Sequence, residues 1–351
     1  SGYLEELDLG EDVINRFLDV AFSAFTYNNK LYGVGYNNSA SGLIYNKDLI
    51  SEEKLPDTWD ELFRLADEIT TRDEKGEPLI RGLYLNATDM WFNYPLIKEC
   101  GGYYYGKYPN GTYNAYDIGL NNEGMLEYVT LMKELMAKGY VLNNPNKKDY
   151  SDIIASFIDG KVGMFFYGLW SAESFKKAGI NYGIAPLPVG KNGERSQPIT
   201  TVEGFVINKF SLNKDLAKRF LEYILQDESQ QLLIEAGNRY DKKTGERNPT
   251  NRAVIASDYI QSDPILRQFA QIGEWVEPFP NIPEGPLWYN QDLSINAFKA
   301  IFFGDRHGNP VDPQYKLNEF VQILSQQVAL MNEVPEHINL PWWAFVVLGI
   351  I

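Results

Sequence analysis

One cysteine, Cys100, and two histidines, His307 and His337, are all the thiol and imidazole chemistry in this chain. A single thiol excludes an internal disulfide and a cysteine-based metal centre. The histidines lie too far apart to form a paired zinc motif. No phosphate loop of the Gly-x-x-x-x-Gly-Lys-Ser/Thr type occurs, and Gly33-Val34-Gly35 lacks the third glycine and following helix of a dinucleotide fingerprint. Ser39 and Ser41 are not framed as a nucleophile elbow. No catalytic residue, metal or cofactor is therefore expected. Carboxylates are plentiful, so a glycosidase-type acid pair stays open on composition alone. The distinctive chemistry is aromatic: 23 Tyr, 19 Phe and 7 Trp make up 14% of the residues. Such a surplus suits flat binding surfaces, although cores also absorb aromatic rings.

The elements that must hold those rings read as α/β. At 351 residues the chain suits two domains, and 44% hydrophobic content supplies a sizeable core. Its formal net charge of −15 repels phosphate backbones, so nucleic acid is not an expected partner. Thr58-Trp59-Asp60-Glu61 is a capping box, and Trp59, Leu62, Leu65 and Ile69 follow on one helical face. A second helix starts near Asn121 or Asn122, points Met125, Tyr128, Met132 and Leu135 to one side, and stops near Gly139. A third covers about 151–158, and the apolar run from Val162 to Phe166 reads as a buried strand. From Asn213 or Lys214 another helix turns Ala217, Phe220, Leu221 and Ile224 inward. The last, over about 314–330, buries Leu317, Phe320, Val321, Leu324 and Val328. Turns are expected at 191–194, 240–247 and 304–310.

Several segments, in order, carry a resemblance. They are Tyr27-Asn28-Asn29-Lys30-Leu31-Tyr32-Gly33-Val34, Leu43-Ile44-Tyr45-Asn46-Lys47-Asp48-Leu49 and Leu55-Pro56-Asp57-Thr58-Trp59-Asp60-Glu61-Leu62. Further on come Tyr94-Pro95-Leu96-Ile97 with Gly101-Gly102-Tyr103, then Phe157-Ile158-Asp159-Gly160-Lys161-Val162-Gly163-Met164. Asn181-Tyr182-Gly183-Ile184-Ala185-Pro186-Leu187-Pro188 and Pro280-Asn281-Ile282-Pro283 complete the set. Over about residues 1–330 the chain resembles the extracellular solute-binding proteins of ABC sugar importers, in particular the maltose/maltodextrin-binding branch. These segments are scaffold, and they identify the family without touching ligand.

The resemblance implies a type II periplasmic-binding-protein-like fold: two α/β lobes, a hinge, and a ligand cleft that closes by hinge bending. It implies a partial N-terminal lobe over 1–37 and 204–258, with about the first fifth of a mature binding protein lying upstream. The C-terminal lobe would span 38–203 and 259–335. It implies an extracytoplasmic, non-enzymatic receptor whose partners are an oligosaccharide and ABC permease subunits.

Site residues follow from the same resemblance. Trp170, after Gly168-Leu169, falls where the family places a stacking ring. Trp288 and Tyr289 match its second aromatic platform. Asp89, Met90 and Trp91 match a stretch that holds sugar hydroxyls and stacks on a ring, with Met90 in place of a proline. Ser39 stands where maltose binders carry an acid, and Asp292 where they carry an arginine; both departures alter the hydroxyl network. Tyr36, Asn37 and Asn38 near the hinge, and Glu203 on the second crossing segment, are further polar candidates.

The last twelve residues, LPWWAFVVLGII over 340–351, carry no charge. A Trp pair opening an apolar run suits a membrane interface, and a connector and the start of a transmembrane helix are expected over 336–351. That would tether the binding domain to the membrane, or join it to the permease itself. Two rival functions are carried forward: a glycoside-cleaving enzyme, and a non-transport sugar sensor or scaffold of the same fold.

Overall fold

The structure, a computed structural model, describes residues 2–142, 150–240, 247–289 and 291–333. Two sheets organise it. Strand β1 (Gly33–Asn38) lies in a small sheet, and the chain crosses at Ser39-Ala40 into β2 (Ser41–Asn46) of a larger one. The larger sheet adds β3 (Thr71–Arg72), β4 (Pro78–Leu83), β5 (Val162–Gly168) and β6 (Tyr182–Ala185), in the order β6-β2-β5-β4-β3. Here β2 runs antiparallel to β5 and β6, with Ile44 opposite Phe165 and Ile184, whereas β4 runs parallel to β5. The chain recrosses at Thr201 into β7 (Val202–Val206), which with β8 (Asn248–Pro249) flanks β1 antiparallel on either side.

Local chemistry sets the helices that cover the larger sheet. Thr58 accepts the Glu61 backbone N–H while Glu61 accepts that of Thr58, closing the capping box of helix Trp59–Ile69. Asn122 caps Glu123–Ala137, whose Met125, Tyr128, Met132 and Leu135 are buried. The helix Ser151–Ile158 hands over through Gly160, at φ 73°, to β5. Asp263 caps Pro264–Ile272, and Gln268 on that helix accepts the Ile184 N–H, fastening it to β6. The helix Pro313–Glu333 buries Leu317, Phe320, Leu324 and Val328 as its pattern predicts, and half-buries Val321. Burial of these faces gives one large continuous core.

The small sheet packs on a second core of Leu7, Phe17, Ala21, Val34, Ile207, Leu221 and Leu225. One expectation is corrected here. On helix Lys214–Ile224, Leu221 is buried, but Phe220 is 56% exposed. The apolar stripe exists; no described element lies across it. The turn at 304–310 is present, with Gly304 at φ 91°. Residues 241–246 of the expected charged loop lie outside the described residues, as do His337 and the apolar run 340–351. Among the described residues no helix is long and apolar enough to cross a membrane.

Candidate functional site

Strand β5 ends at Gly168, and the tight turn Leu169–Ser171 carries Trp170 back over the strand end. A Cβ on Gly168 would overlap the Trp170 ring, so glycine is what lets the indole lie there. The half-buried Trp170 leans on Tyr167 at 5.2 Å and Phe92 at 5.9 Å, and both rings contact Tyr150. The indole is thus held at the rim of an aromatic bed, fixed on one side and open on the other.

The loop between β4 and helix Tyr94–Glu99 supplies Asp89 and Trp91. Asp89 Oδ1 accepts the backbone N–H groups of Trp91 at 2.8 Å and Phe92 at 3.0 Å, which folds the loop around the carboxylate. Its other oxygen has no hydrogen-bond partner among the described residues. Burial pushes the Asp89 carboxyl up from its ordinary 3.8 to about 6, the two N–H bonds pulling the other way. The charged form is therefore held at a cost beside Tyr104, Tyr128 and Tyr150. Trp91 stacks on Phe279 at 5.7 Å and 18°, and meets Tyr289 edge-on at 5.4 Å. Tyr289 is 37% exposed.

Trp288 is placed differently from the expectation. It is 0% exposed, stacked at 3.4 Å on Tyr104, which stacks in turn on Tyr94 at 4.1 Å. It offers no face to a ligand in this conformation and backs the platform from the core. Its Nε1 has no hydrogen-bond partner among the described residues.

The polar candidates cluster where the chain crosses between sheets. Glu203 Oε2 accepts from the Tyr36 hydroxyl at 2.8 Å and Asn37 Nδ2 at 3.2 Å, with Arg247 at 4.0 Å. Burial, reinforced by Glu203, raises the Tyr36 phenol above its usual range. Asn37 Oδ1 accepts the Asn248 N–H, and Asn38 Oδ1 accepts from Ala40 N–H and Asn248 Nδ2. Asn38 is buried and ties β1 to β8. The Ser39 and Thr201 hydroxyls contact each other, and Ser39 N–H donates to the Thr201 carbonyl at 3.0 Å. Ser39 thus joins the two crossing segments. Asp292 lies in the first turn of helix Gln291–Phe303, and its side chain is outside the described residues.

The structure brings Asp89, Trp91 and Tyr289 together, with Trp170 joined through Phe92. Sequence reasoning missed Phe279, which lies flat beneath Trp91, and Arg247, which reaches Glu203. Phe279 adjoins Pro280-Asn281-Ile282-Pro283, a segment whose sequence marks it as scaffold. Arg247 sits in a stretch whose composition signals a surface loop, and nothing local marks it as a partner of β7.

A family model described as bacterial extracellular solute-binding protein matches residues 5–231. The maltodextrin-binding protein MdxE of Bacillus subtilis (strain 168) is 30% identical over 326 residues, covering 92% of this chain and 73% of that one. The galactooligosaccharide-binding protein of the same organism is 27% identical over 330 residues, covering 93% and 73%. Among solved structures, the maltose-binding periplasmic protein MalE of Listeria monocytogenes in complex with maltose matches with a TM-score of 0.73 at 28% identity. That match covers 94% of this chain and 80% of the other.

Proposed function

The chain belongs to the bacterial extracellular solute-binding protein family and has its two-lobed type II fold, and from that premise we propose that it is an extracytoplasmic oligosaccharide receptor for an ABC importer. The observation that carries the proposal is the chain of contacts in which the Asp89 carboxylate holds the Trp91 and Phe92 backbone, Trp91 meets Tyr289, and Phe92 meets Trp170. Aromatic faces suit the apolar C–H faces of a pyranose, and an ionised carboxylate with a free oxygen accepts sugar hydroxyls. Glu203, with Tyr36 and Asn37, adds an exposed polar edge at the crossing; Ser39 and Asn38 act by holding the crossing together. Asp292 completes the set as a hydroxyl acceptor on its helix.

The lobes run over 1–37 with 204–258 and over 38–203 with 259–335, and they close on the ligand by bending at the crossing segments. Ligand is held by stacking and hydrogen bonds and released unchanged. The charge-free run 340–351 serves as a membrane tether, directly or as part of a joined permease. Flotation with anionic liposomes, compared between the full chain and 1–333, tests the tether; equal flotation would remove it.

Isothermal titration against maltodextrins and galactooligosaccharides tests the main reading. Saturable binding with a change in Trp fluorescence is expected. No heat with any member of the panel would leave a ligand-free scaffold as the answer, and new reducing ends would make the protein a glycosidase.

A further inference from the structure

A groove of about 1260 Å³ opens between residues 14–31 and the hairpin at 107–116, with 278–284 forming its floor. None of Asp89, Trp91, Trp170 or Tyr289 lines it, so it is distinct from the ring-and-carboxylate cluster described above. We propose that this groove is a second carbohydrate-binding site, taking a neutral oligosaccharide. The proposal does not rest on the cleft reading.

The lining has the chemistry of a polyhydroxyl site. Tyr27, Tyr108 and Tyr116 supply rings, the last two 48% and 63% exposed. The carboxamides of Asn28 and Asn29 and the hydroxyls of Tyr27 and Tyr116 have no hydrogen-bond partner among the described residues. Amides offer donors and acceptors side by side, which is what a sugar hydroxyl requires. Charge is sparse. Lys107 lies 3.6 Å from Glu277, and Glu284 accepts from Asn332, so no cation cluster remains to hold a phosphate.

The walls are built before any ligand arrives. Asn28 and Asn29 form the two-residue turn of a hairpin pairing Tyr27 with Lys30, at φ 49° and 60°. Asparagine-glycine is the cheaper pair for such a turn. The second asparagine keeps an extra amide on the wall at the expense of backbone ease. Across the groove, the Tyr113 hydroxyl donates to Glu277 at 3.2 Å and Lys98 donates to its other oxygen at 2.6 Å, pinning the hairpin. Asn281 Nδ2 donates to the Ser23 carbonyl at 3.2 Å, joining the two walls.

Hydroxyl-radical footprinting of the full chain, with maltoheptaose and separately with a galactooligosaccharide mixture, tests the proposal. Protection of Tyr108 and Tyr116 is expected, and Trp170→Ala should leave it in place. The double variant Asn28→Gly, Asn29→Gly keeps the turn, because glycine accepts positive φ, and should weaken that protection about tenfold in ligand concentration. Tyr116→Ala should do the same. Protection confined to Trp91 and Trp170, no protection with either probe, or an unchanged midpoint in both variants would overturn the proposal. Protected tyrosines with no response at Trp170 would instead sink the cleft reading and keep this one.

Discussion

The two sheets obey the same sequence rules and end in different environments. In the larger sheet β2 is buried along its whole length and β5 along all but Tyr167, with amphipathic helices packed around them. In the small sheet β7 has exposed residues at Glu203, Gly204 and Val206, and its neighbouring helix Lys214–Ile224 shows Leu216, Phe220 and Tyr223 to solvent. Leu212 just before it is 98% exposed. Both helices and strands have the required periodicity, so the contrast teaches that an apolar stripe states a capacity for burial. Whether it is used depends on a second surface, which the larger sheet has and the small one lacks among the described residues. The candidate cleft draws its rings from the well-packed side and its polar edge from the crossing.

The sharpest way to break that contrast is a large deletion in the better core. Phe165 is 0% exposed in the middle of β5 and touches Phe157 and Phe175. Phe165→Ala should cost about 3–5 kcal/mol in chemical denaturation. A loss below about 1 kcal/mol would mean that this core is no tighter than the other.

Next in size is ligand affinity. Trp170→Ala should weaken sugar binding by about 1–3 kcal/mol in titration calorimetry, with the fold intact by circular dichroism. Unchanged affinity would take Trp170 out of the site.

Asp89 links the cleft to pH. Its folded carboxyl is raised above the unfolded value, so the native state holds the proton more tightly. Between about pH 4 and about 6 the native state therefore binds more protons than the unfolded one. The stability this gives is complete below that window and lost as pH rises through it, roughly 3 kcal/mol in all. Asp89→Asn should flatten this slope and raise neutral-pH stability by about 1–2 kcal/mol, while sugar affinity falls. In the unaltered protein, affinity should decline as pH drops below about 6, because the protonated carboxyl loses acceptor capacity. Denaturation and titration at pH 7.5 and pH 4 check both signs; parallel curves for the two proteins would remove the assignment.

The smallest effect is expected on the exposed face. Phe220→Ser should change stability by no more than about 0.5 kcal/mol and reduce light scattering on concentration. A loss near that of Phe165→Ala would show that Phe220 is buried in solution.

Sequence alone determined the parts whose causes are local. The capping box at Thr58, the Asn122 cap, the end of helix Ser151–Ile158 at Asp159-Gly160 and the buried run from Val162 depend on neighbours a few residues away, and all are present. The family was legible for the same reason, since its segments are scaffold elements in a fixed order. The placement of rings was legible only in part. Trp170 sits at the strand end because Gly168 is adjacent to it. Trp288 carries no comparable local sign: its burial is set by Tyr104, 184 positions away, which occupies the space against its face. The same holds for Phe279 under Trp91, for Ser39 against Thr201, and for Phe220 left bare. A side chain's type fixes what it can bind or bury, whereas which surface meets it is decided by contacts distant in sequence, and only the tertiary structure supplies those.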